Sequence, residues 1–368
     1  MARVAVAMSG GVDSSVAAAL LVQQGHEVVG FTLHLWPPWL PDDHNPRACC
    51  GVGAVEDARA VAQDLGIRHY VLNFREVFEK AVIRPFAEGY ASGRTPNPCV
   101  ACNRHVKFSL LLDRARSLGM EFLATGHYAR TRRDGDVVRL LRAADPRKDQ
   151  SYVLYGLTQR ELPHVRFPVG ELTKDQVRGV ARALGLPVAG KPDSQEICFV
   201  PRGHYTDVVA RYAPDGLRPG PVYDLRGRRL GTHAGLARYT LGQRRGLGLA
   251  AGQPLYVVAV DPQRNAVFVG TAEAARASEV VVEEVTWTTQ PPEQPRVRAE
   301  VRVRHGGPLV PAWLEVGERV RVRFDVPQWA PGPGQVACFY RGEEVLGGGI
   351  VAEVRSPAAE RVAELVAV

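Results

Sequence analysis

Lysine is nearly missing from this 368-residue chain: five (Lys80, Lys107, Lys148, Lys174 and Lys191) stand among 46 lysines and arginines. The basic surface is therefore mostly guanidinium, suited to planar, bidentate phosphate contacts. Long apolar runs are missing as well. None approaches the roughly 18 residues of a membrane helix, which excludes a helical membrane protein and leaves no membrane partner to expect. The opening "MARVAVAMSGG" has no apolar core followed by a small-residue cleavage site, so we expect no secretory signal and a cytoplasmic protein. Cysteine is sparse: Cys49, Cys50, Cys99, Cys102, Cys198 and Cys338. In a reducing compartment these do not make a disulfide framework, and each is either packing or chemistry. Cys49, Cys50, Cys99 and Cys102 fall in polar, Pro- or Gly-rich stretches that read as loops, which favours chemistry. Internal repeats and low-complexity tracts are absent. The net charge of +7 suits a polyanionic partner without specifying one.

What is present reads as alternating strands and helices. "RVAVAM" (3–8), "EVVGFTLHLW" (27–36), "RHYVLNF" (68–74) and "EFLATGH" (121–127) read as strands. Helices are expected over 12–24, 54–66, 76–93 and 105–119, two of them stopped by glycine. That alternation predicts an α/β unit over residues 1–205 with a doubly wound parallel sheet covered on both faces. Ligands bind such sheets beyond the C-terminal strand ends, where the loops at 9–15, 33–36 and 125–128 fall. After about residue 205 helical patterning fades. Residues 206–275 read as a small middle domain of weak signature, and 276–368 as an all-β domain, a small barrel. In "PRVRAEVRVRHGG" (295–307) Val297, Ala299, Val301 and Val303 share one face, and Arg296, Arg298, Arg302 and Arg304 lie mostly on the other.

The stretch that carries chemistry is "SGGVDSS" (9–15). It has the glycines of a phosphate loop but not the lysine of a Walker-type loop. Gly10 and Gly11 let backbone amides face an anion, Ser9, Ser14 and Ser15 add hydroxyls, and a helix beginning near Val12 points its positive end there. Asp13 is out of place in an anion site unless Mg²⁺ binds too. The stretch resembles the pyrophosphate loop of the N-type ATP pyrophosphatases. That resemblance implies ATP cleaved between its α and β phosphates, Mg²⁺ beside Asp13, and a nucleotide held by Met8, Ser9, Gly10, Gly11, Val12, Asp13, Ser14 and Ser15, with Leu33 at the adenine and Gly126 at adenine or ribose.

Further stretches narrow the family: "GRTPNPCVACN" (93–103), "ATGHYAR" (124–130), "RKDQSYVLY" (147–155), "KPDSQEICFV" (191–200), "YTLGQRRGLGL" (239–249) and "LGGGIV" (346–351). Together they resemble the bacterial tRNA-specific 2-thiouridylases over essentially the whole chain. The family replaces the C2 oxygen of a tRNA wobble uridine by sulfur, which needs an activated oxygen and a sulfur nucleophile; a cysteine persulfide supplies the latter. The resemblance implies a persulfide on Cys198, Cys102 as the nucleophile that frees its sulfur, a transient Cys102–Cys198 disulfide, and a persulfide-relay protein as sulfur donor. It places Asn97, Pro98 and Cys99 at the target base, His127 at the nucleotide or tRNA, and Lys148, Asp149 and Gln150 on tRNA. Arg244, Arg245, Arg304, His305 and Gln335 are the candidates for further tRNA contacts. One position departs from the family: many relatives carry aspartate where this chain has Cys99. The change removes a general acid or base and creates a C-x-x-C pair, so a 4Fe–4S cluster on Cys99, Cys102 and Cys198 competes with the persulfide route. Ligases of the argininosuccinate or GMP synthetase type share the loop but use nitrogen nucleophiles. A non-catalytic tRNA-binding protein that keeps ATP is the remaining alternative.

Overall fold

The computed structural model describes residues 1–40, 52–193, 197–200, 204–249 and 252–367; Cys49 and Cys50 lie outside them. The first unit is built on five parallel strands, β1 (Arg3–Ala7), β2 (Glu27–His34), β3 (Arg68–Asn73), β4 (Phe122–Thr125) and β7 (Val165–Arg166), in the order β3-β2-β1-β4-β7. Val4, Ala5 and Val6 are all buried, because the central strand has helices on both sides. On one side Val4 and Val6 pack with Val16 and Ala17 of the helix Val12–Gln23, Val61 of the helix Val52–Asp64 and Val177 of the helix Lys174–Ala183. On the other side Ala5, Phe31 and Leu33 pack with Phe78, Ile83, Val106 and Leu111. This is the doubly wound sheet expected from the alternation.

Two features differ from expectation. Cys99 and Cys102 are not in a loop: Pro98–Cys102 is a helical turn continuous with a π-helical stretch, Asn103–Leu111, and an α-helical one, Leu112–Ser117. The middle region is the small domain expected there, with an ordered core of its own. Strands β8 (Gly220–Asp224), β9 (Arg229–His233), β10 (Tyr256–Asp261) and β11 (Ala266–Gly270) pair in the order β10-β11-β8-β9 around Val222, Leu236, Val257 and Val267. The C-terminal part is not wholly β either: a helix, Pro357–Ala367, leaves the barrel and packs Val362 and Leu365 beside Phe268 of the middle sheet.

The barrel consists of β12 (Arg276–Trp287), β15 (Val320–Trp329), β14 (Val310–Glu315), β13 (Arg296–Arg302), β16 (Val336–Arg341) and β17 (Glu344–Arg355), closed by a β12–β17 pairing. Val297, Ala299, Val301 and Val303 point into its core as their alternation requires. A hairpin from the first unit, β5 (Arg130–Asp134) and β6 (Val137–Leu141), extends the same sheet through Leu141 opposite Glu344. Among the described residues no helix is long and apolar enough to cross a membrane.

Candidate active site

The loop after β1 is shaped by its own serines. The Ser9 amide donates to Ser14 Oγ at 3.1 Å, and the Ser14 and Ser15 hydroxyls donate to the Gly11 carbonyl at 3.2 and 2.9 Å. Gly10 has φ +64°, and a Cβ there would sit 2.3 Å from the Ala54 carbonyl oxygen, so only glycine fits. Gly11 caps the helix Val12–Gln23 without a side-chain hydrogen bond. The first amides of that helix are thus left facing the loop, the arrangement that binds anions. Met8 is buried and held through its backbone: its amide donates to the Phe31 carbonyl, and its carbonyl accepts from Thr32 Oγ1, both at 2.8 Å. Leu33 is buried near the end of β2.

The lysine absent from the loop is supplied from elsewhere. Asp13 accepts from Lys174 Nζ and from the Tyr128 hydroxyl, each at 2.7 Å. Lys174, whose side chain is only 8% exposed, also pairs with Asp193 at 2.7 Å. Asp193 in turn holds Lys148 at 2.7 Å and Arg178 at 2.9 Å. Lys191 Nζ donates to the Gly10 carbonyl at 3.0 Å and pairs with Asp57. Burial pushes the Asp193 carboxyl up, but hydrogen bonds and charge from Lys148 and Lys174 outweigh it and hold the group at about 2. Burial, followed by the charge of Asp13, raises the Tyr128 phenol far above its ordinary range, so it remains a hydrogen-bond donor. Three of the chain's five lysines therefore gather beside the loop. Sequence reasoning missed Tyr128, Lys174, Lys191 and Asp193 as members of this site. The signal was the scarcity of lysine itself: in an arginine-rich chain, a retained ammonium marks a place where a compact point charge is wanted.

Gly126 lies against the same loop. A Cβ on it would meet the Ser14 amide nitrogen at 2.5 Å and the Asp13 carbonyl carbon at 2.7 Å. Its near neighbour is thus loop backbone, and its lack of a side chain lets β4 approach the loop. His127 Nδ1 is 2.8 Å from Thr125 Oγ1, and its ring lies near Phe108 and Phe167.

The cysteines are positioned by an Asn-Pro helix start. Asn97 Oδ1 accepts from the Cys99 and Val100 amides at 3.0 and 3.4 Å, and Pro98 takes the first helical position. Cys99 is exposed and Cys102 buried, although their i, i+3 spacing puts them on the same side of the helical turn. Cys198 is half-buried and packs against the apolar cluster that contains Cys102. No group of three or more His, Cys, Asp or Glu is gathered to hold a metal ion among the described residues. Asp13 is committed to Lys174 and Tyr128.

Three family profiles cover the chain: a tRNA methyl transferase HUP domain over residues 2–202, a tRNA methyl transferase PRC-barrel domain over 206–271, and an aminomethyltransferase β-barrel domain over 277–351. The tRNA-specific 2-thiouridylase MnmA of Moorella thermoacetica is 49% identical across 95% of this chain and 99% of its own. That of Roseiflexus castenholzii is 50% identical across 96% and 100%, and that of Chloroflexus aggregans 50% across 96% and 99%. The chain belongs to the tRNA-specific 2-thiouridylase family.

Several positions that the thiouridylase resemblance assigns to tRNA are used inside the chain. Asp149 is buried, accepts from the Ala143 and Ser151 amides at 3.1 and 3.2 Å, and pairs with Arg142 at 3.4 Å and Arg302 at 3.1 Å. It joins the first unit to the barrel and offers no open oxygen-lined surface. Gln150 Oε1 accepts from the Tyr128 amide at 2.9 Å, and Lys148 is on Asp193. Arg244 and Arg245 are exposed, Arg244 at the edge of an open cavity of about 320 Å³ lined also by Leu247, Leu249 and Pro254. His305 is exposed, while Arg304 is half-buried and donates to the Ala330 carbonyl. Gln335 Oε1 accepts from the Gly332 amide at 3.0 Å. On the barrel's outer face the arginines are largely balanced by acids. Glu279 alone meets Arg321, Arg323 and Arg355 at 3.3, 2.8 and 3.1 Å, and Arg298 pairs with Asp325.

Proposed function

We propose that this chain is an ATP-dependent tRNA uridine 2-sulfurtransferase that thiolates the wobble uridine in the cytoplasm, loaded with sulfur by a persulfide-relay protein. The observation that carries the reading is the pairing of a lysine-backed phosphate loop with two cysteines, Cys102 and Cys198, that pack on one apolar cluster. A nitrogen-nucleophile ligase has no use for those thiols. The profile descriptions speak of methyl transfer, but relatives at about half identity over nearly the whole chain carry the thiouridylase name, and the cysteines match sulfur chemistry.

ATP supplies the adenylyl group that turns the uracil C2 oxygen into a leaving group, with Mg²⁺ accompanying its phosphates. The amides at the start of the helix Val12–Gln23 and the hydroxyls of Ser9, Ser14 and Ser15 hold the departing pyrophosphate. Lys174 and Lys191 add positive charge there. Asp13 orients Lys174 and Tyr128. Asn97, Pro98 and Cys99 border the target base, with His127 beside it. Cys102 attacks the inner sulfur of the Cys198 persulfide. The S–S bond breaks, the terminal sulfur adds to C2, AMP leaves with the original oxygen, and a Cys102–Cys198 disulfide remains for an external thiol to reduce. The cluster route would need Cys99, Cys102 and Cys198 together on iron, so iron dependence separates it from the persulfide route.

The test is a reaction of the purified chain with ATP, Mg²⁺, unmodified tRNA and a persulfide donor, read by nucleoside mass spectrometry. One 2-thiouridine per AMP, lost in Cys102→Ser and in Cys198→Ser, is expected. Full activity in either variant defeats the persulfide route. Activity that requires iron and disappears in Cys99→Ser favours the cluster.

A further inference from the structure

The loop 329–335, "WAPGPGQ", which runs from the last residue of β15 to the start of β16, touches both the middle sheet and the segment that leads into the cysteine helix. On the middle-sheet side, Trp329 meets Tyr256 edge-on with centroids 5.1 Å apart. Gly242 has φ +82°, and a Cβ on it would lie 2.9 Å from both Ala330 Cβ and Trp329 Nε1. The Ala330 carbonyl accepts from Arg304 at 2.6 Å. Toward the cysteines, the Thr95 amide donates to the Pro333 carbonyl at 2.8 Å. Gly334 has φ +85°, and a Cβ on it would lie 2.8 Å from the Thr95 nitrogen and 2.9 Å from Arg94 Cβ. Arg94 Nη2 donates to Glu283 of the barrel strand β12 at 2.8 Å, and Gly93 approaches Val260 of the middle sheet so closely that a Cβ would be 2.7 Å from its Cγ1. Thr95 is followed by Pro96 and by Asn97, the cap of the cysteine helix.

We propose that Arg94 and Thr95 are positioning residues for Cys102: through them, tRNA seated on the middle sheet and barrel sets the placement of the cysteine helix. Of the candidate tRNA contacts outside the first unit, Gln335 belongs to this loop, Arg304 is hydrogen-bonded to it, and Arg244 and Arg245 stand two and three residues beyond Gly242, which packs on it. The contacts onward to Thr95 are backbone against backbone, so a displacement of the loop is transmitted instead of being absorbed by a flexible side chain. A proline and a capping asparagine then pass it to the helix. Sulfur transfer between two thiols is sensitive to shifts well below the width of an atom, so this joint makes the chemistry contingent on correct tRNA seating.

The inference rests on tRNA being the substrate, and its test separates the two. Arg94→Glu, Glu283→Arg, the double variant, the milder Arg94→Gln and Gly334→Ala are compared for tRNA Kd, for kcat of thiolation, and for the rate at which iodoacetamide labels Cys102 with and without saturating tRNA, located by peptide mass spectrometry. The parent is expected to change its Cys102 labelling several-fold on adding tRNA. Arg94→Glu and Gly334→Ala should lose that response and roughly tenfold or more of kcat, with tRNA Kd little changed, Arg94→Gln should show a smaller loss, and the double charge swap should restore both. Should a single variant fail to fold, Arg94→Gln and the double swap still decide. Variants that keep the labelling response and kcat overturn the proposal, as does a kcat loss that only tracks weakened tRNA binding or a double swap that restores nothing. A parent that labels differently with tRNA yet makes no 2-thiouridine defeats the proposed function and leaves the joint standing.

Discussion

Replacing Gly126 by alanine tests how the nucleotide loop is held. The added Cβ would lie 2.5 Å from the Ser14 amide nitrogen, 2.7 Å from the Asp13 carbonyl carbon and 2.9 Å from Ser14 Cα. All three are backbone atoms of the helix start proposed to face the phosphates, so no side chain can rotate away. Normal contact requires about 3.5 Å, so the β4 end and the loop must part by roughly 0.5–1 Å. A displacement of that size at a group that orients a reacting phosphate costs about 10²-fold in rate, close to 2.7 kcal/mol of barrier. Overpacking adds a stability loss of about 1–3 kcal/mol. The assay is tRNA-dependent pyrophosphate release, with thermal unfolding followed in parallel and tRNA binding as the control expected to stay unchanged. A Gly126→Ala protein that releases pyrophosphate at the parental rate would refute the reasoning, because the loop would then tolerate the shift that its geometry forbids.

Other expectations follow from the same geometry. Asp13→Ala should remain folded but give no pyrophosphate exchange into ATP; exchange at the parental rate removes its role in orienting Lys174 and Tyr128. Arg302→Leu leaves the buried Asp149 with Arg142 as its ion-pair partner and should cost about 3–5 kcal/mol in denaturant titration; a loss below about 1 kcal/mol would show the pair to be dispensable. The Asp193 carboxyl is held at about 2, below its ordinary 3.8. Its stabilisation is therefore complete above roughly pH 4 and lost as pH falls toward 2, and Asp193→Asn should remove about 2 kcal/mol at neutral pH and flatten that acid limb. Charge reversal at Arg244 and Arg245 should weaken tRNA binding and reduce its salt slope by up to about 2, leaving ATP affinity unchanged; an unaltered slope would mean that both face solvent.

The doubly wound sheet was legible because its strands are short, apolar and separated by periodic helices, and the loop was legible because "SGGVDSS" joins one of each. The lysines behind the loop were not. Lys174 and Lys191 stand 161 and 181 residues beyond their partners Asp13 and Gly10, and local periodicity carries no information at that range. Arg302 was placed on the arginine face by alternation, yet it is buried because Asp149, 153 residues earlier, supplies its counter-charge. Strand β7 has two residues, too few for any pattern. The cysteine helix was readable in principle: Asn97 before Pro98 is a helix-start signature, masked by the glycine and prolines around it.

The central claim is best tested by the tRNA nucleosides of a strain that lacks this chain, measured by mass spectrometry and again after complementation with the parent and with Cys198→Ser. The account predicts that wobble 2-thiouridine disappears, returns with the parent and stays absent with Cys198→Ser. Unchanged 2-thiouridine in the deletion strain, or its return with the serine variant, would contradict it.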